Sequence, residues 1–205
     1  EEMQRALSTL MRREMEIVGA GRTDAGVHAR VMVAHFDTDQ NVDCRQLAYK
    51  LNRLLPRDIS VDKVIPVDGE MHARFSAVKR TYHYYIHLHK NPFHRFYSCE
   101  LHYDLDFRLM NEAAAYLREC SDFAAFCKVH TDVKTTICRV SEARWIDDGN
   151  GCWHFVISAD RFLRNMVRAV VGTLIDVGRH RMTMEQFKAV VAGKNRSNAG
   201  ESMPG

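Results

Sequence analysis

The stretch Gly19-Ala-Gly-Arg-Thr-Asp-Ala-Gly-Val-His-Ala29 is the part of the sequence that most constrains the fold and the chemistry. Three glycines and three alanines leave little side-chain bulk, so the backbone can turn sharply and approach a large ligand closely. Asp24 is its only acidic residue and is therefore the candidate reactive group. An isolated loop aspartate more often makes an Asx turn, so this assignment depends on the whole stretch.

Hydrophobic periodicity on both sides of this stretch predicts helices interspersed with short strands. Asp43 is placed to cap a helix, and Pro56 is placed to end it. The elements predicted in the first 70 residues are a helix over 2–13, a strand over 15–18, a buried strand over 31–36, the helix capped by Asp43, and a strand over 59–67.

The remainder of the chain predicts a longer strand, a hairpin and two more helices. Apolar and aromatic residues alternate over 78–88, as they do on one face of a strand. The turn residues Asp147–Gly151 separate two strand-like runs, which predicts a hairpin. The predicted elements are a strand over 78–88, a helix capped by Asp106, hairpin strands over 138–146 and 152–158, and a helix over 162–177 ended by Gly178.

This order of elements predicts an α+β fold made of two sheet-and-helix halves, over residues 1–70 and 71–205. With 46% hydrophobic residues, the chain can bury a sizeable core. Six cysteines without a Cys-x-x-Cys pair are expected to be reduced. Because no signal sequence and no apolar run of membrane-spanning length is visible, we expect a cytoplasmic protein.

The formal net charge of +3 is a weak indication of nucleic-acid binding unless the basic residues cluster. Arg161, Arg164 and Arg168 lie three and seven positions apart, which places them on one face of the last predicted helix. The sequence therefore predicts a basic stripe there. The eleven histidines follow no recognised ligand spacing and no cysteine cluster accompanies them, so no metal site is predicted.

Four motifs, in the same order, resemble those of the TruA-type tRNA pseudouridine synthases. The first is the stretch around Asp24, which matches the family's active-site motif nearly letter for letter. The other three are His72-Ala-Arg-Phe-Ser76, Arg80-Thr-Tyr-His-Tyr84 and Phe162-Leu-Arg-Asn-Met-Val-Arg168. The resemblance extends over essentially the whole chain.

The resemblance implies the pseudouridine synthase fold. In that fold the two halves join in one mixed, mainly antiparallel sheet, with helices on one side and a central catalytic cleft on the other. The family's first strand, with its Tyr-Asp-Gly signature, and its last, returning strand are expected to be missing from this sequence.

The resemblance also implies the reaction: isomerisation of uridine to pseudouridine in the anticodon arm of tRNA, at positions 38, 39 and 40. Asp24 matches the single essential aspartate, which attacks the sugar or removes a sugar proton, and no cofactor is needed. Arg168 matches the arginine that pairs with this carboxylate. Tyr82 matches a tyrosine whose ring can stack on the extruded uracil.

Further residues are implied to contact the RNA. Arg22 matches an arginine thought to displace the target base, and two family loops correspond to segments that contact the RNA backbone. Members of the family act as homodimers that grip one tRNA jointly, so a homodimer is expected. The residues of the two loops are Met71, His72, Ala73, Arg74 and Phe75, and His130, Thr131, Asp132, Val133 and Lys134.

Two other functions remain open from the residues. An RNA-binding module that has lost catalysis is one, because the family's terminal strands are expected to be missing. A glycosidase or nuclease is the other and is weaker, since no second carboxylate or metal set accompanies Asp24.

Overall fold

The fold consists of five α-helices and six β-strands within residues 1–128 and 134–205, the part of the chain that a computed structural model describes. The helices are α1 (Glu2–Met11), α2 (Cys44–Leu54), α3 (Phe107–Tyr116), α4 (Met166–Gly178) and α5 (Met184–Gly193). The strands are β1 (Val18–Gly19), β2 (Ala34–His35), β3 (Arg80–His87), β4 (Cys99–Glu100), β5 (Val140–Gly149) and β6 (Cys152–Ala159). None of the described helices has the length and apolarity that crossing a bilayer requires.

Two compact units divide the chain. The first contains Glu1–Thr23 and Ala29–Ala77, and the second contains Asp24–His28 and Val78–Gly205. Although Asp24 lies early in the sequence, it therefore belongs to the second unit. The boundary between residues 70 and 71 that the sequence suggests stays a prediction.

The first unit packs α1 against α2 over a small apolar core that includes Leu7, Leu47 and Leu51. The prediction that Asp43 caps α2 is confirmed, because its side chain accepts a hydrogen bond of 3.0 Å from the backbone nitrogen of Gln46. Such a cap satisfies a backbone donor that the first turn of a helix leaves unpaired.

Two strand predictions in the first unit are wrong, because one strand is much shorter than predicted and the other does not form. The buried strand over 31–36 is reduced to β2, which pairs with β1 over two residues and leaves Val31 exposed. No strand forms over 59–67. Its Val61 hydrogen-bonds through both backbone groups to the side-chain amide of Asn52, at 2.7 and 2.8 Å, so these groups are unavailable for a strand ladder.

The second unit has a four-stranded sheet in the order β4-β3-β6-β5. The β3–β6 and β6–β5 pairs are antiparallel and the β3–β4 pair is parallel, so the sheet is mixed and mainly antiparallel. Helix α3 packs against β5 and α4, and most of α4 is buried in the core of this unit. The α+β class is confirmed. The described strands form two separate sheets, whereas the resemblance implies a single sheet shared by both halves.

The helix cap and the hairpin predicted in the second unit are confirmed, and both depend on residues close together in the sequence. Asp106 accepts a 3.0 Å hydrogen bond from the backbone nitrogen of Leu109 and caps α3. The predicted hairpin joins β5 to β6. Its turn contains Gly149, Asn150 and Gly151, all with positive φ, a conformation that glycine and asparagine adopt most readily.

Helix α4 begins at Met166, so the prediction that it starts near Phe162 is wrong. Asn165 has a φ of 67°, which places it in the left-handed region and separates the preceding residues from the helix. Arg161 and Arg164 consequently precede the helix. The predicted basic stripe of three arginines on one helix face does not form; of the three, only Arg168 lies on α4.

Candidate active site

Asp24 lies in a tight turn of the second unit. The backbone nitrogen of Val27 donates to the carbonyl oxygen of Asp24 at 3.3 Å, and Gly26 has a φ of 87°. A Cβ atom at position 26 would lie 2.8 Å from the carbonyl oxygen of Gly205. Glycine is therefore required at position 26 both by the backbone angle and by the close approach of another backbone segment.

Arg168 forms an ion pair with Asp24. Its Nη1 donates to Oδ2 of Asp24 at 2.7 Å, and the two residues are 144 positions apart in the sequence. A charge-assisted hydrogen bond of this kind orients the carboxylate. The side chain of Asp24 is 36% exposed, so a substrate can still reach it from solvent.

The same arginine is held on its other side by the backbone of Met203. Nε of Arg168 donates to the carbonyl oxygen of Met203 at 2.5 Å, and the backbone nitrogen of Met203 donates to the carbonyl oxygen of Arg168 at 3.2 Å. Because a guanidinium group is planar, fixing Nε and Nη1 fixes the plane of the whole group.

A polar cluster holds the segment that carries Met203. The hydroxyl of Ser202 lies 2.6 Å from Nδ2 of Asn165 and 2.7 Å from Nη2 of Arg196, both of which are donors. One residue beyond Met203, the carbonyl oxygen of Pro204 accepts a 3.0 Å hydrogen bond from the hydroxyl of Tyr84. These contacts position the backbone carbonyl that orients Arg168.

Tyr82 extends from β3 and packs edge to face against Phe162, with 5.0 Å between the ring centroids. Burial raises the pKa of the Tyr82 hydroxyl above 10.0, and the charge of Asp24 acts in the same direction, while Arg80 opposes them. The hydroxyl is therefore protonated at neutral pH, and Tyr82 lies within the electrostatic influence of Asp24. Of the three residues that the sequence predicts to be catalytic, Asp24 and Arg168 are in direct contact, and Tyr82 lies on β3 in the same unit.

The other predicted RNA-contacting residues lie elsewhere. Arg22 is exposed in the first unit. The segment 71–75 is also in the first unit, where the backbone nitrogen of Ala73 donates to Nδ1 of His35 at 3.1 Å and the His72 ring packs on Phe75. Lys134 is exposed in the second unit. The predicted contacts His130, Thr131, Asp132 and Val133 lie outside the described residues.

Within residues 1–128 and 134–205, no three side chains of His, Cys, Asp or Glu lie close enough together to hold a metal ion. The cysteines of the described chain are free thiols. Burial is the main cause that raises the pKa values of Cys99 and Cys138, that of Cys138 to about 11, so these thiols are protonated at neutral pH.

A family model described as tRNA pseudouridine synthase matches residues 1–76 and 113–205. The chain belongs to the tRNA pseudouridine synthase family. Asp24 and Arg168 lie inside the matched ranges, and Tyr82 lies between them. The ion pair described above therefore joins the two parts of the chain that the family model matches.

Curated relatives in this family cover most of the chain. The tRNA pseudouridine synthase A of Bacteroides fragilis is 53% identical over 99% of this chain and 81% of the relative. That of Bacteroides thetaiotaomicron is 53% identical over 99% of this chain and 76% of the relative. The Bacillus subtilis protein of the same name is 37% identical over the full chain and 84% of the relative.

The residues that fix the position of the Arg168 guanidinium are not predicted from the sequence. Ser202, Met203 and Pro204 act through a hydroxyl and two backbone carbonyl groups, and such groups leave little trace in a sequence pattern. The available signal was Gly200, which packs closely against α4. Small residues outside a turn often mark close approach of two backbone segments.

Proposed function

We propose that this chain isomerises uridine to pseudouridine in the anticodon stem-loop of tRNA, at positions 38, 39 and 40. Membership of the family supports the reaction, and so do the names of the relatives. The observation that carries the proposal is the 2.7 Å ion pair between Asp24 and Arg168. It supplies an oriented carboxylate, which is the group that the reaction needs.

Asp24 is the reactive group of this proposal. The glycosidic bond between N1 of uracil and C1′ of the ribose breaks, the uracil rotates, and a bond forms between its C5 and C1′. The C5 proton is lost and N1 gains one, so atoms and electrons balance without oxidation or hydrolysis. Asp24 either attacks C1′ or removes a ribose proton to give a glycal, and both routes require its ionised carboxylate.

Arg168 and Tyr82 complete the site. Arg168 holds the carboxylate in a fixed orientation, because its guanidinium is itself fixed by Met203. Tyr82 offers a ring that can stack on the detached uracil and retain it through the rotation. A protonated hydroxyl, which the raised pKa of Tyr82 ensures at neutral pH, makes this residue a stacking surface rather than a base.

RNA binding involves other residues in this proposal. Arg22 helps to extrude the target nucleotide, and the segments 71–75 and 130–134 contact the phosphate backbone. The basic and aromatic side chains of Arg74 and Phe75 are exposed in the first unit, which supports such contacts. A cytoplasmic location and a homodimer that binds one tRNA are parts of the same proposal. Sedimentation of the chain should then give the mass of two copies.

The experiment that tests the proposal is Asp24→Asn on tRNA labelled with tritium at C5 of uracil. The wild-type chain releases tritium to water as C5 becomes bonded to the ribose. Asp24→Asn should release none while still binding tRNA, since an amide can neither attack C1′ nor accept the proton. Asp104→Asn, at an exposed position of the second unit, is the matched control and should release tritium normally. Unchanged release by Asp24→Asn would remove Asp24 from this role.

The same experiment addresses the alternative function. An RNA-binding module without catalysis predicts tRNA binding with no tritium release from the wild-type chain. The family match does not support that alternative, because the matched relatives are named synthases. The preserved pairing of Asp24 with Arg168 also argues against it, since a module that only binds has no need of an oriented carboxylate.

A further inference from the structure

The loop between β3 and β4, residues 88–98, exposes three aromatic rings and is here called the aromatic loop. Phe93 is 88% exposed, Phe96 is 67% exposed and Tyr97 is 66% exposed. Single exposed apolar residues are common on proteins, whereas a cluster of large ones marks a surface that binds something.

The aromatic loop is held in shape by polar contacts. The backbone nitrogens of Tyr97 and Ser98 both donate to the carbonyl oxygen of His94, at 3.0 Å. The Ser98 hydroxyl lies 2.9 Å from Nδ1 of the buried His87, and Nδ1 of His94 lies 3.5 Å from Sγ of Cys152. His94 and Ser98 thus fix the loop on β3 and β6.

One cation lies against these rings, and the loop contains a second basic residue. Arg95 lies over the ring of Phe96, with 4.3 Å between Cζ and the ring centroid, and Lys90 lies earlier in the same loop. No acidic residue occurs between Glu70 and Glu100 in the sequence, so this loop carries no negative side chain. An arginine stacked on an aromatic ring, in a segment without carboxylates, is suited to a partner that has π-faces and negative charge.

The aromatic loop touches the segment that carries the candidate nucleophile. The rings of Tyr97 and His28 lie 4.9 Å apart between centroids, and His28 is four residues after Asp24 in the same turn segment. Both residues belong to the second unit. A ligand stacked on the aromatic loop is therefore close to the substrate of Asp24.

We propose that the aromatic loop is a stacking surface for an unpaired nucleobase of the tRNA substrate, with Phe96 and Tyr97 as the stacking rings and Arg95 as a phosphate contact. This inference rests on the proposed function. Single-stranded RNA is recognised mainly by aromatic stacking, and every base has a face that can stack. A nucleotide next to the extruded uridine loses a stacking neighbour, and this surface replaces it.

A second copy of this chain is the competing occupant of the surface. Two copies meeting through this loop in an isologous contact would bring Lys90 and Arg95 of each copy together without acidic side chains from either loop. Such like charges repel, whereas RNA phosphates attract them. Charge complementarity therefore favours RNA.

The test measures binding of an unmodified tRNA transcript to the full chain and its variants, at about 50 and about 200 mM salt. Phe96→Leu keeps an apolar side chain but removes the ring, and it should weaken binding about 5- to 30-fold at both salt concentrations. Arg95→Gln should instead weaken binding more at low salt and reduce the salt slope by about one unit. Tyr49→Ala removes an exposed ring of α2 and should bind as the wild type does.

Three outcomes overturn the inference. One is wild-type tRNA affinity of both Phe96→Leu and Tyr97→Ala. Another is an equal loss of affinity in Tyr49→Ala, which would make the effect nonspecific. The third is a change in sedimentation of Phe96→Leu without RNA, which would assign the surface to contact between copies. The proposed function is judged separately, by tritium release from the wild-type chain, so either idea can fail alone.

Discussion

Nε of Arg168 donates a hydrogen bond of 2.5 Å to the carbonyl oxygen of Met203. The guanidinium of Arg168 thus donates to two acceptors at once, because Nη1 of the same group donates to Asp24. A lysine ammonium carries its three donors on one rotatable atom, so it lacks the planar fork that holds these two acceptors in a fixed geometry.

Replacing Arg168 by lysine should therefore slow the reaction although the charge is kept. We expect Arg168→Lys to lower kcat about 100-fold with little change in KM, since an oriented carboxylate matters for the chemical step more than for RNA binding. Steady-state tritium release measures both constants. Arg164→Lys, an exposed residue before α4, is the control and should retain its kcat. A larger effect on KM than on kcat would contradict the orienting role.

A methyl group on Gly172, one helical turn after Arg168 on α4, should displace the segment that carries Met203. A Cβ atom there would lie 1.8 Å from the carbonyl oxygen of Glu201, a backbone atom that can move only with its segment. Gly172→Ala should lower the free energy of unfolding by about 1–3 kcal/mol in urea denaturation, and should lower kcat at a temperature where the variant is folded.

Gly193 offers the matched control for that substitution. It also lies in a helix, α5, but a Cβ atom there would meet nothing within 4 Å. Gly193→Ala should leave stability unchanged or raise it by up to about 1 kcal/mol, because alanine has less conformational freedom to lose. Equal stability of the Gly172 and Gly193 variants would show that the segment 199–205 does not depend on close contact with α4.

Two substitutions of Tyr82 separate the contribution of its ring from the contribution of its hydroxyl. Tyr82→Phe should keep kcat within about threefold, and Tyr82→Ala should lower kcat about 10- to 100-fold, because the ring stacks on the base and the protonated hydroxyl cannot act as a base at neutral pH. Single-turnover tritium release at saturating enzyme measures this step. Similar losses in both variants would assign the chemistry to the hydroxyl.

Ionisation of Asp122 should make the free energy of unfolding depend on pH. The ammonium of Lys194, 2.8 Å away, and the hydroxyl of Thr136 lower the pKa of Asp122 below its ordinary 3.8. Since the folded-state pKa lies below the unfolded one, this carboxylate stabilises the fold above pH 3.8, and the contribution is lost as pH falls through the folded value.

Asp122→Asn should accordingly lower the free energy of unfolding by about 1–2 kcal/mol at neutral pH and by less as the pH falls below 3.8. Urea denaturation at a series of pH values measures the difference. Lys194→Gln should reproduce part of the neutral-pH loss, because it removes the largest cause of the lowered pKa. A difference that stays constant with pH would exclude the ionisation of Asp122 as its source.

Features that depend on a few neighbouring residues could be predicted from the sequence. The caps at Asp43 and Asp106 follow from a side chain acting three residues away, and the hairpin follows from the turn residues at 149–151. The grouping of Asp24 with Arg168 came from the family motifs, which preserve a distant contact as a pattern of residues.

What could not be predicted depends on contacts that the local pattern does not encode. The hydrophobic periodicity over 59–67 does not show that the side chain of Asn52 hydrogen-bonds to both the backbone nitrogen and the carbonyl oxygen of Val61. The helical spacing of Arg161, Arg164 and Arg168 is real, but the left-handed Asn165 interrupts the helix that it presupposes. Periodicity reports which face would be buried if an element formed, and tertiary contacts decide whether it forms.

The sequence separation within the site also bears on when the enzyme matures. Asp24 is translated early, its partner Arg168 follows 144 residues later, and Met203 comes later still. Domains fold as the ribosome releases them, and a pairing between such remote positions must wait for the later member. Until Arg168 has been synthesised, the carboxylate of Asp24 lacks the guanidinium that orients it. The complete site can therefore form only after the segment that contains Met203 has left the ribosome.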